Sequence, residues 1–153
     1  MEKNHILITQ KEFNKLKNEI KLNSGKEIVY SSNDDELNRK VIEKLSVKIL
    51  LVSLSDRKDY QKQRNSGFNQ VMAKVMKKKG IVLGINFDEV LESRGLSEKA
   101  GILARIRQNI FLCNKNKVKM KFVIQKNKNE RNVYDLKSLG LVLGMPTWMT
   151  KEF

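Results

Sequence analysis

The chain has one proline, one cysteine, one histidine and one tryptophan in 153 residues, and aromatic residues make up only 7%. Each scarcity removes a class of explanation. The lone cysteine, Cys113, cannot build a disulfide framework, which points to a reducing, cytoplasmic setting, and its apolar helical neighbourhood marks it as a small buried hydrophobe. The lone histidine, His5, leaves zinc sites and His-based triads hard to assemble. No apolar run approaches the roughly 18 residues a membrane span needs, and the N-terminus alternates charged with apolar residues instead of forming a signal-peptide core. A chain without membrane contact is therefore expected. No linker rich in Pro, Gly or Ser divides it, so residues 1–153 read as a single domain, long enough to bury about 70% of its unfolded surface. P-loop and dinucleotide-binding glycine patterns are missing, and the glycines of "GIVLG" fall inside a strand pattern, where they allow close packing. Tyr30, Tyr60, Phe68 and Trp148 form no evident base-stacking platform.

Positive charge is what the chain has in excess. Its formal net charge is +14, with 24 lysines and 7 arginines, a bias that AT-rich coding could produce without any partner. Position says more than the total. Residues 1–56 hold ten basic against nine acidic residues, residues 57–131 hold 19 against six, and residues 132–153 hold two against two. A coding bias would spread the excess, whereas a surface that meets a polyanion concentrates it, so a nucleic-acid partner is expected.

Short β-branched runs alternate with longer amphipathic segments. The runs "HILIT" (5–9), "KEIVYS" (26–31), "VKILLVSLS" (47–55), "GIVLGINF" (80–87) and "KVKMKFVIQ" (117–125) are each followed by a helical pattern. Five strand-helix units in series, with strands two to four continuously apolar, predict an α/β fold of mainly parallel strands alternating with helices and joined by right-handed crossovers. Periodicity leaves an open doubly wound sheet and an incomplete barrel equally possible. Asn33 or Asp34 is positioned to cap the second helix, and Gly80 to end the third. The polar run "KNKNERN" (126–132) reads as a mobile loop.

Two helices carry candidate contacts. In the third, Phe68, Val71, Met72, Val75 and Met76 share one arc, opposite Lys74, Lys77 and Lys78, while Lys77 to Lys79 also meet the negative end of the helix dipole. In "ARIRQNIFLC" and its flank, Ile102, Leu103, Ile106, Ile110 and Cys113 form the core stripe. Arg105 and Asn109 border it on one side and Arg107 on the other, with their heads expected to reach outward. Guanidinium forks match phosphate oxygens, and amides offer both donors and acceptors. The best candidates for an enzyme are the carboxylates just past strand ends, Asp56 and Asp59 after "LLVSLS" and Asp88 and Glu89 after "GINF". They keep a small metal-dependent phosphoesterase as the alternative. Against it, Asp88 is equally placed as a helix cap, and Asp59 is surrounded by Arg57, Lys58 and Lys62.

The run "RNSGFNQVMAKVMKKKGIVLGINFDEVLE", followed by "LARIRQNIFLCNKNKVKMKFVI" and "DLKSLGLVLGM", resembles ribonuclease P protein component 3, an archaeal and eukaryotic subunit family. The resemblance covers residues 64–145 and is carried by Asn65 to Gly67 with Asn69, by Arg105 to Asn109, and by Leu143 to Met145. It implies a TIM-barrel-like fold similar to histidinol-phosphatase-type phosphoesterases, open or incomplete in so short a chain. Those enzymes hold metals with clusters of His and Asp, whereas this chain has only His5, so the resemblance implies a noncatalytic relative. It implies a subunit of the endoribonuclease that removes the 5′ leader of precursor tRNA, in which RNA performs the hydrolysis with magnesium. The chain itself would bind no cofactor or metal and would contact the catalytic RNA, ribonuclease P protein component 2 and, indirectly, precursor tRNA. The RNA-binding residues expected on this reading are Arg64, Lys77, Lys78, Lys79, Arg105, Arg107, Asn109, Lys115 and Lys117.

Overall fold

The computed structural model describes residues 4–151 and residue 153. Its strands are β1 (His5–Ile8), β2 (Glu27–Ser32), β3 (Ile49–Val52), β4 (Val82–Asn86) and β5 (Met120–Val123), and each falls inside one of the five apolar runs except β2, which extends one residue past its run to Ser32. They form one sheet in the order β1-β2-β3-β4-β5, with every neighbouring pair parallel. The helices are α1 (Phe13–Leu22), α2 (Asp35–Lys44), α3 (Gln70–Lys79), α4 (Phe87–Leu91), α5 (Leu96–Asn116), α6 (Val133–Leu143) and α7 (Thr147–Thr150).

Strand order that equals chain order decides between the two architectures. Every right-handed crossover then steps the same way, which lays all the helices on one face of the sheet. The buried clusters show this. Ile8, Tyr30, Leu50, Leu83 and Met120 point from the strands into one core with Leu16 of α1, Val41 of α2, Met76 of α3 and Ile106 of α5. Alternate strand positions on the opposite face, Val29, Ile49, Leu51 and Val123, form a second cluster that contains strand residues alone, with Val82 against it. The sheet is singly wound, as in a partial barrel, and its five strands end at β1 and β5 without closing among the described residues. Gly84 belongs to that second face. A Cβ there would come within 2.8 Å of Ile49 Cγ2 and 3.1 Å of Leu51 Cδ1, so the glycine lets the curved face close up.

Local chemistry sets the helix ends. Asp34 caps α2, its carboxylate accepting from the backbone N–H of Glu36 and Leu37, and Asn69 caps α3 through the N–H of Met72. Gly80 ends α3 in the left-handed conformation, with φ of +69°. Three expectations need correcting. Phe87 begins the short helix α4 and does not extend β4, and Asn86, not Asp88, caps that helix. On α3, Ala73 takes the buried place expected for Val71, which is 49% exposed.

Candidate nucleic-acid interface

The connection from β3 to α3 runs over the carboxyl edge of the sheet, where singly wound α/β folds place their sites. Two arginines organise it. Arg57 makes a bidentate pair with Asp35 at the start of α2, at 2.8 and 2.9 Å, donates to the Asn65 side chain at 3.2 Å, and reaches the Ser53 carbonyl through Nε. Arg105, on α5, donates from Nε to the Asn65 carbonyl and from Nη2 to the Arg57 carbonyl, both at 3.1 Å, and its Nη2 also meets the Asp59 carboxylate at 2.8 Å. The N–H of Asn65 donates to Asp59 as well, and this bond, followed by the Arg105 hydrogen bond, holds the Asp59 carboxyl below its ordinary pKa. Gly67, with φ of +66°, passes directly beneath the Arg57 guanidinium. Gln108 completes the attachment by donating to the Arg64 carbonyl at 3.0 Å.

The sequence motifs at Asn65–Gly67 and Arg105–Asn109 are thus two halves of one latch. This corrects the placement expected for Arg105 and Asn109 beside the α5 stripe. Arg105 is 8% exposed and Asn109 3%, so their polar heads turn into the fold and not outward. The Asn109 Oδ1 is buried without a hydrogen-bond partner. The apolar stripe itself is as expected, with Ile102, Ile106, Ile110 and Cys113 buried. Burial pushes the Cys113 thiol pKa well above its ordinary value, which leaves it inert.

The four candidate carboxylates also have structural partners. Glu89 accepts from the N–H and hydroxyl of Ser55, the N–H of Leu54 and the hydroxyl of Ser53, which ties α4 to the end of β3. Asp88, buried, accepts from the Asn129 amide and the Gln125 N–H at 2.8 Å each. This anchors residues 126–132, expected as a mobile loop, by way of a short 3-10 turn at Asn127–Asn129. Asp59 is held by Arg105, and Asp56, with a backbone φ of +53°, pairs with exposed Arg94 at 3.3 Å. No group of three or more His, Cys, Asp or Glu side chains converges as metal ligands would among the described residues. A cleft of about 670 Å³ opens between Asp56, Asp59, Arg94 and the first turns of α5. Its charged walls are already cross-paired, and chemistry on a substrate would have to break those pairs.

The remaining candidate cations divide among several places. Arg64 is exposed on the β3–α3 connection and Arg107 on α5. Lys77 and Lys78 lie just before β4, and Lys115 and Lys117 just before its neighbour β5, all four exposed at the amino edge of the sheet. Lys117 ends α5 in a left-handed conformation, with its ammonium 5.4 Å from the Trp148 ring centroid. Lys79 has a different task from the one expected. Its ammonium donates to the carbonyls of Ile42, Glu43 and Leu45, at 2.6, 3.3 and 3.0 Å, and so closes the end of α2 instead of its own helix.

No family model matches the chain. Its singly wound sheet does have a counterpart among solved structures. The chain is similar to one in a cryo-EM structure of archaeal ribonuclease P with mature tRNA, at a TM-score of 0.77 and 24% identity. The fold resembles that of an archaeal ribonuclease P chain. The match covers 96% of this chain and 62% of that one, so this chain spans less than two thirds of its neighbour's length. At this identity the likeness is one of fold. Sequence reasoning met Arg57 only as a neighbour of Asp59 and missed its place in the latch. Its signal was Gly67, a glycine between Ser66 and Phe68 where the backbone must run beneath another group.

Proposed function

We propose that the chain is a protein subunit of ribonuclease P, the ribonucleoprotein that removes the 5′ leader of precursor tRNA. On this reading it supports the catalytic RNA, pairs with a second protein subunit of the component 2 type, and leaves the hydrolysis to the RNA and its magnesium. The observation that carries the reading is the fold likeness over 96% of the chain to a chain of archaeal ribonuclease P. The chemistry of the carboxyl edge agrees with it, because the carboxylates there are held by arginines, serines and backbone amides. The exposed cations Arg64, Lys77, Lys78, Arg107, Lys115 and Lys117 are the proposed phosphate contacts. Arg105 acts at one remove, as a positioning residue that holds the loop bearing Arg64.

Reconstitution tests this. Cleavage of precursor tRNA is measured with the archaeal ribonuclease P RNA and component 2, with and without this chain, at limiting magnesium. Addition of the chain raises the rate. An unchanged rate overturns the reading, and so does cleavage of precursor tRNA by the chain alone with magnesium or manganese.

A further inference from the structure

The amino edge of the sheet holds a second feature, built from the part of the chain whose charges nearly cancel in sequence. A cavity of about 580 Å³ lies between the second half of α1, the start of β2 and the α2–β3 connection. Its floor is aliphatic, from Ile20, Ile28, Leu45 and Val47. Five lysines line it, Lys17, Lys21, Lys26, Lys44 and Lys48, against one acid, Glu27. All five are exposed, and none pairs with an acid among the described residues.

Helix ends account for part of this charge. Lys21 and Lys44 sit in the last turns of α1 and α2, and each helix C-terminus presents about half a negative charge. Two such ends and Glu27 offset about two of the five positive charges, which leaves about three uncompensated. The α2 carbonyls, moreover, are already taken by Lys79 from outside the cavity. Like charges crowded at the mouth of an apolar cavity repel one another, and an anion with an apolar portion relieves that repulsion.

We infer that this cavity is an RNA-binding site that takes one unpaired nucleotide, with its base on the aliphatic floor and its flanking phosphates among the lysines. The volume lies in the range of sites that enclose a small ligand, and is too confined for a duplex. Single-stranded RNA offers the required combination of a flat apolar face with a phosphate on either side. The inference rests on the ribonuclease P reading for which RNA is bound, and on the cavity's own chemistry for how.

The test uses the full chain and two RNAs, a 12-nucleotide oligouridylate and transcribed archaeal ribonuclease P RNA, with affinities measured across a salt series. The variant Lys21→Gln/Lys44→Gln/Lys48→Gln is compared with Lys99→Gln/Lys137→Gln/Lys151→Gln, which removes equal charge elsewhere. Circular dichroism melting confirms that both fold. The cavity variant loses at least tenfold in oligouridylate affinity at physiological salt, and its log-log salt slope falls by about two, at about 0.7 per phosphate contact. The control variant loses much less. Equal losses in the two variants, or none, overturn the inference. Wild-type binding of oligouridylate through the cavity without preference for ribonuclease P RNA sinks the functional reading alone and leaves the cavity assignment standing.

Discussion

At Gly67 the backbone takes a φ of +66°, and an added Cβ would overlap the Arg57 guanidinium and lie 2.7 Å from Val52 Cγ1. Two penalties therefore combine in Gly67→Ala, a left-handed backbone and a steric conflict with a side chain that Asp35 holds in place. The variant is expected to lose about 1–3 kcal/mol of stability, read as a lower urea midpoint with an unchanged slope. Arg105→Lys probes the other half of the latch. A lysine cannot reproduce the planar fork that reaches Asn65, Arg57 and Asp59 together. Amide exchange at Asn65 and Gly67 should accelerate while exchange in β3 and β4 stays slow, and uniform acceleration would mean that Arg105 serves global stability instead. At this scale the sequence was legible as a set of important residues but not as their geometry. The run from Asn65 to Asn69 stands out on its own, yet Arg57 lies eight residues from Asn65 and Arg105 forty. No local pattern shows that both arginines cover one loop, so Arg105 and Asn109 read as helix surface.

The elements themselves were more legible. All five strands and the helices α1, α2, α3, α5 and α6 were visible as changes of hydrophobic period, and the caps at Asp34 and Gly80 follow from side-chain and backbone chemistry alone. Helix α4 was missed because five residues are too few to show a period, and the apolar run into Phe87 continues the strand pattern. Its partner, the Asn127–Asn129 turn, was missed because polar residues can be anchored by hydrogen bonds that composition does not reveal. That anchoring has a pH signature. Glu92, just past α4, pairs with Lys126 and Lys128 and accepts from Asn129, and these contacts lower its carboxyl from 4.5 to about 2. The folded state thus holds the proton less tightly than the unfolded one. The contribution is complete above pH 4.5 and is lost as the pH falls through about 2. Carbon-13 NMR should place the Glu92 midpoint well below its ordinary value, and Lys126→Met should move it upward. An ordinary midpoint in the wild type would mean that the turn is held by Asp88 and Asn129 alone.

At the scale of the whole molecule, the charges of residues 1–56 are sorted by sheet edge more clearly than by sequence. Residues 1–56 are almost balanced in sequence, ten basic against nine acidic, yet folding sends Asp34, Asp35, Glu36 and Asp56 to the carboxyl edge. Lys17, Lys21, Lys26, Lys44 and Lys48 go to the opposite one. A count by segment could not show this, because each strand-helix unit contributes to both edges. The fold class was legible as α/β from periodicity, which left one-sided and two-sided winding open; the family resemblance implied the barrel-like choice, and the strand order shows a one-sided winding without closure among the described residues. That order governs assembly as well. Each strand pairs with the one made just before it, so a chain emerging amino end first always finds its docking template already present. No strand has to wait unpaired for a distant successor, and pairing costs only the closure of one crossover at a time. The protein can therefore grow as it is synthesised, unit upon unit.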